Sequence, residues 1–258
     1  MAAHARLSAS AADRWMHCPA SVSLSAGLPR KFSIYAQYGT VLHGIAAHVA
    51  RLAPPFRIEA MLNLLPDEVD REPVAAYIKA IERETQRTDG TWVEVTLKAL
   101  KKIDQDMGGT ADYIRFRPYT AELLVTDFKT GSGVDVAAED NHQLMIYALG
   151  ALLETGAKAK NVRIVVVQPR LADPEQRLKE WTFPAVRLLD FAADLRAAAL
   201  ATRDSDPKVV PGEQQCRFCP AGEAGLCAQR VKPRKSRTVV VAAAIADFDD
   251  LTTEKGKV

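Results

Sequence analysis

Apolar positions along this chain follow one period before Gly90 and another after it. Ahead of Gly90 they recur at helical spacing. Ser10-Ala-Ala-Asp13 reads as a capping box that opens a short helix carrying Trp15 and delivering Cys18 at its end. A second helix is expected from about Thr40 through Arg51, stopped by Pro54-Pro55. A third, from Val74 to about Gln86, sets Val74, Tyr77, Ile78 and Ile81 on one face, at i, i+3, i+4 and i+7. Asp89-Gly90 marks a turn, after which Trp92–Leu97 alternates. Ala111–Phe116 and Glu122–Phe128 follow as further strands, and Pro118-Tyr-Thr-Ala between them suits a hairpin. Asn141 to about Glu154 reads as a helix, Asn161–Gln168 as a buried strand and Val186 to about Thr202 as a long Ala/Leu helix. Together these predict an α/β fold, a mixed central sheet with helices on its faces.

Composition narrows the class. A chain of 258 residues, nearly half of them hydrophobic, can bury one sizeable core with appendages. Its net charge of +2 announces no nucleic-acid partner, although a local basic groove is compatible with it. No apolar run reaches the roughly 18 residues of a membrane span, and Met1–Asp13 has no signal-peptide stretch, so a cytoplasmic protein is expected. Beyond about Gln229 the composition shifts to a basic tract, Lys232–Arg237, then an apolar run and an acidic end. This divides the chain into a domain over 1–229 and a tail over 230–258.

The four cysteines carry the sharpest local signal. Cys216-Arg-Phe-Cys219 is a C-x-x-C pair, Cys227 follows after a loop with Pro220, Gly222 and Gly225, and Cys18 stands alone near the start. In a reducing compartment such a set points to one four-thiolate centre, iron–sulfur or zinc, that clamps the N-terminal helix to the C-terminal segment. Ordinary core thiols are the plainer reading.

Carboxylates supply the second signal. Asp127 and Lys129 lie two apart on a strand and so share a face. Asp112 follows Gly108-Gly109, glycines that would leave room for a second backbone or a phosphate. If the strands pair as a hairpin, Asp112 meets Asp127 and Lys129 at one sheet end, a site for a hard cation such as Mg²⁺ or Mn²⁺. Taken alone, Asp-x-Lys is short and common and is more often a charged pair at a strand end. Gln143 and Tyr147 share a helix face at i, i+4, and His43 points away from Leu42 and Val49, available as a ligand or simply as a surface histidine. His4, His17, His48 and His142 have no comparable context and read as structural or surface residues.

In this order the motifs resemble the RecB-like branch of the PD-(D/E)XK nucleases. The iron–sulfur members are the nearest in pattern: the AddB-type helicase-nuclease domain, CRISPR-associated adaptation nucleases and small phage exonucleases. The resemblance runs from about Ser8 to Cys227. Ser8-Ala-Ser10 with Cys18-Pro19 is similar to the N-terminal serine and first-cysteine motif. Gly39-Thr-Val-Leu-His43 is similar to the helical histidine motif, Asp112 to the first acidic motif, Asp127-Phe-Lys129 to D-x-K and Gln143-x-x-x-Tyr147 to QxxxY. Ala111 replaces the proline of the superfamily name, and seven residues separate Cys219 from Cys227, a longer gap than the tightest family pattern. No G-x-x-x-x-G-K-[ST] phosphate loop is present, so any helicase or recombination motor is a separate partner.

The resemblance implies a metal-dependent DNA exonuclease, acting on single strands or free ends in a bacterial or phage-infected cell. His43, Asp112, Asp127 and the Phe128 main-chain carbonyl would hold Mg²⁺ or Mn²⁺. Asp112, Asp127, Lys129, Gln143 and Tyr147 would form the catalytic set, and Cys18, Cys216, Cys219 and Cys227 would hold a [4Fe–4S] cluster, with Zn²⁺ the alternative. A catalytically idle DNA-binding or assembly module on the same fold is the competing reading.

Overall fold

The computed structural model describes residues 5–29, 34–52, 70–131 and 134–232. His4, Pro54-Pro55 and the tail beyond Lys232 lie outside the described residues.

A five-stranded mixed sheet forms the frame. Its order is β2 (Gly90–Thr96), β4 (Thr110–Arg117), β5 (Glu122–Phe128), β6 (Asn161–Val167) and β7 (Leu178–Pro184). Only β5 and β6 run parallel; the other neighbours are antiparallel. The β4–β5 hairpin closes over Pro118–Ala121, with Arg117 opposite Glu122, where the turn was expected. A parallel step needs a crossover, supplied by the helix His142–Thr155. Asn141 caps that helix, its side chain accepting the Leu144 N–H, and Gly156 ends it in the left-handed conformation at φ 67°.

Strand alternation sorts the core into two layers. Ile114, Leu123, Val125, Val162, Ile164 and Val166 join Leu144, Ala148, Leu188, Phe191 and Leu195 on one face. Tyr113, Leu124, Phe128, Val165 and Val167 join Leu42, Val49, Val74, Tyr77 and Ile81 on the other. Because β5 and β6 are covered on both sides, they read as continuous apolar runs.

Among the described residues the α-helices, in chain order, are α1 (Ala12–His17), α2 (Ala20–Leu24), α3 (Ile34–Ala50), α4 (Arg71–Glu84), α5 (His142–Thr155), α6 (Arg187–Ala201), α7 (Glu213–Arg217) and α8 (Pro220–Glu223). Helix α4 buries Val74, Tyr77, Ile78 and Ile81, the face its periodicity predicts. Helix α3 starts at Ile34, earlier than expected. Gly39, just before the expected start at Thr40, lies inside the helix, where a Cβ would come 2.8 Å from Thr130 Oγ1. The glycine lets α3 dock closely on the segment after β5.

The expected capping box at Ser10 does not form. Ser10 falls in a 3-10 turn over Ala9–Ala11, and α1 has Ala11 at its N-cap with no side-chain bond. Trp15 anchors this region instead: it is fully buried and donates Nε1–H to the Ser8 carbonyl at 3.0 Å. Truncating such a ring to alanine costs about 3–5 kcal/mol. A short parallel pair, β1 (Leu7–Ser8) with β3 (Met107–Gly108), fastens the N-terminal segment beside β4. Of the two uses foreseen for Gly108-Gly109, close backbone approach is met by β1. The second is not. A Cβ at Gly109 would meet the Tyr147 ring at 2.7 Å and Ala9 at 3.0 Å, so the protein itself fills the space assigned to a phosphate.

Candidate metal and cysteine sites

At the end of the sheet where β5 finishes, polar side chains from α3, β2, β4, β5 and α5 converge. Asp112 ties the strands together: its Oδ2 accepts the Phe128 N–H at 2.7 Å, one step past the last paired residues, Tyr113 and Thr126. Its other oxygen, Oδ1, lies 3.3 Å from His43 Nδ1 on α3. The His43 ring rests on Phe128, centroids 5.1 Å apart, and Phe128 stacks in turn on Tyr77.

Glu94 joins them and was not foreseen. The pairs Val93–Tyr113 and Val95–Ala111 bracket Glu94 and Asp112, which therefore stand opposite each other. Glu94 has φ 49°, a left-handed backbone that L residues adopt at a cost of about 1–2 kcal/mol. Its Oε1 lies 3.8 Å from His43 Nδ1. One ligand atom from each of His43, Glu94 and Asp112 falls within 4.8 Å of the others. These three, with Gly39, Thr40 and Thr130, line a cleft of about 310 Å³.

Asp127 stands beside this trio, near enough for its charge to act on His43. It is buried, and Lys129 Nζ lies 2.8 Å from its Oδ2, an atom that accepts no properly directed hydrogen bond. Lys129 also donates to Gln143 Oε1 at 3.0 Å. Gln143 Nε2 donates to Asp127 Oδ1 at 3.3 Å and to Tyr147 Oη at 3.0 Å. The i, i+4 pair on α5 thus holds the Asp127–Lys129 pair in place. Behind it, buried Gln168 donates to the Gly131 and Val134 carbonyls and accepts the Val136 N–H, tying these three residues to the end of β6.

The electrostatics favour positive charge. Burial opposes protonation of His43, but hydrogen bonds to Asp112 and Glu94 outweigh it and raise its pKa to about 10. Burial holds Asp127 above the usual carboxylate range against the opposing pull of Lys129. Lys129 is also raised; burial disfavours its ammonium, but Asp127 prevails. Three carboxylates around an imidazole suit a hard divalent cation that accepts oxygen and nitrogen donors.

The four cysteines come together elsewhere. Cys18, at the end of α1, lines one cavity with Cys216, Cys219 and Cys227. The Val210 N–H points to Cys18 Sγ at 3.4 Å and the Gly212 N–H to Cys216 Sγ at 3.5 Å. Hydrogen bonds from Ala20 N–H to the Lys208 carbonyl and from Ala221 N–H to the Ser25 side-chain Oγ join the same two chain regions. Converging sulfurs with N–H donors aimed at them suit a sulfur-ligated centre.

The sequence reading reached Asp112, Asp127, Lys129, Gln143, Tyr147, His43 and the cysteines, and missed Glu94 and Gln168. A carboxylate within the apolar strand Trp92-Val-Glu-Val was the available signal for Glu94. Alternation sets it on the face of Trp92, whereas its left-handed backbone breaks that alternation. The model of the family described as "Protein of unknown function (DUF2800)" matches residues 4–253, nearly the whole chain, and the protein belongs to that family.

Proposed function

We propose that the protein is a divalent-metal-dependent deoxyribonuclease on a RecB-like PD-(D/E)XK fold, an exonuclease acting on single strands or free ends. The observation that carries this reading is the placement of His43, Glu94 and Asp112 beside the linked set Asp127, Lys129 and Gln143. A mixed sheet whose D-x-K strand ends at that point is compatible with the fold.

His43, Glu94, Asp112 and Asp127 would hold Mg²⁺ or Mn²⁺, with the Phe128 carbonyl as a further ligand by resemblance. When bound, the cation supplies Lewis acidity toward a phosphodiester oxygen and toward water. His43 must give up its proton to ligate, so binding releases a proton. The Lys129 ammonium offsets charge that develops on phosphorus during attack. Gln143 fixes Lys129 through Oε1, so that lysine meets the phosphate without first being ordered. Tyr147, braced by Gly109 and Gln143, keeps Gln143 in register.

Cys18, Cys216, Cys219 and Cys227 would hold a [4Fe–4S] cluster, or Zn²⁺, whose contribution is folding free energy at the junction of the two chain regions. DNA contacts are expected to be backbone-directed and salt-sensitive. The test is degradation of end-labelled linear and circular DNA, single- and double-stranded, with Mn²⁺ or Mg²⁺ and with EDTA. Metal-dependent loss of linear DNA supports the proposal. DNA binding without cleavage in any metal would favour the idle binding module.

A further inference from the structure

We infer that Asp13, His17 and His142 form a separate transition-metal site, suited to a borderline dication such as Zn²⁺, at the junction of α1 and α5. The two histidines read as surface residues in the sequence, 125 positions apart, and the fold brings them together. One ligand atom from each of the three lies within 4.8 Å of the others, and the imidazole centroids are 5.4 Å apart.

The hydrogen bonds orient both rings. His17 Nδ1 lies 2.7 Å from the Asp13 carbonyl, which can only accept, so Nδ1 carries the proton and Nε2 the lone pair. His142 Nδ1 lies 2.6 Å from Asp13 Oδ1, and a dication would displace the proton between these two atoms and take both as ligands. A ligating histidine usually donates its other N–H to a carbonyl or carboxylate, as His17 does to the Asp13 carbonyl. Asp13 and His17 are i, i+4 on one helix face, and Phe191 stacks on His142 from the far side. Two imidazoles and a carboxylate make a donor set for Zn²⁺, Co²⁺ or Ni²⁺ more than for Mg²⁺.

The position gives the site a consequence. Cys18 follows His17 directly, and Gln143 follows His142. A bound dication would tie the end of α1, next to the cysteine cavity, to the first turn of α5, which carries Gln143 and Tyr147. This inference does not depend on the nuclease reading.

Carbethoxylation of individual histidines, read by mass spectrometry on the full chain as purified during a Zn²⁺ titration, tests it. His17 and His142 should become protected along one saturable curve, while exposed His48 stays reactive. Asp13→Ala should shift the midpoint about 10- to 100-fold to higher Zn²⁺, and His17→Ala should remove the protection of His142. Reactivity of His17 and His142 unchanged by Zn²⁺ in the wild-type protein would overturn the site. So would protection of His142 that survives His17→Ala with the same midpoint.

Discussion

Asp112 Oδ2 accepts the Phe128 main-chain N–H at 2.7 Å while Oδ1 of the same carboxylate lies 3.3 Å from His43. One residue thus anchors β4 to the end of β5 and faces the cleft. The two duties separate by substitution. Asp112→Asn retains an acceptor for Phe128 and should unfold in urea close to the wild-type midpoint, yet lose metal-dependent activity. Asp112→Ala leaves the buried N–H without its acceptor and should cost a further 1–3 kcal/mol or so. Equal stability of the two variants would contradict the anchoring role.

Glu94 carries a strained backbone next to the metal donors, so stability and function should move in opposite directions there. Glu94→Gly removes the left-handed penalty and should raise stability by about 1 kcal/mol. It also removes a carboxylate, so the Mn²⁺ concentration for half-maximal activity should rise. Calorimetric melting and a Mn²⁺ titration read the two effects, and a variant that loses stability would remove the argument from strain.

Most of the scaffold was legible because its signals are local and repeated. The α4 face and the β5 and β6 runs follow from periodicity, and the β4–β5 turn from Pro118-Tyr-Thr-Ala. What escaped is set by tertiary contact. Helix α3 was expected only from Thr40, because Gly39 is in fact a docking position against Thr130 inside the helix. Strand β7 was missed because adjacent Lys179 and Glu180 break the alternation of this sheet-edge strand and Pro184 ends it. Asp112, Asp127 and Lys129 could be placed at one sheet end from parity and the hairpin. Glu94 could not, because its direction depends on a single backbone conformation.

Stability should also depend on pH through Asp104. Hydrogen bonds from Arg203 at 2.6 and 2.7 Å hold the Asp104 carboxyl below the ordinary carboxylate range. A depressed folded-state pKa contributes stability that is present above the unfolded value of 3.8 and fades as pH falls through the lower folded value. Both side chains are partly exposed, so the effect is about 1 kcal/mol after screening. Arg203→Ala should lower stability at pH 7 and flatten its decline at acid pH, as urea melts across pH 2–7 would show. A decline as steep as wild type would place the acid sensitivity elsewhere.

Cys18 lies nearly 200 residues from its three companions, and only a shared centre would couple them chemically. Cys18→Ser should bleach the absorbance of anaerobically purified protein, lower its iron and sulfide, and expose the 208–230 segment to protease. Retention of colour, metal and protease resistance would exclude Cys18 as a ligand.

The central claim rests on the Asp127–Lys129 pair, and the most direct measurement is single-turnover cleavage of end-labelled DNA in saturating Mn²⁺ by wild type and Lys129→Met. Loss of the Lys129 charge should reduce the cleavage rate by about 10²–10³-fold, the range for removing one group that stabilises a developing charge. DNA affinity should stay near wild type, while melting without metal should fall, because Asp127 loses its buried ion-pair partner. Cleavage by Lys129→Met at the wild-type rate would contradict the account.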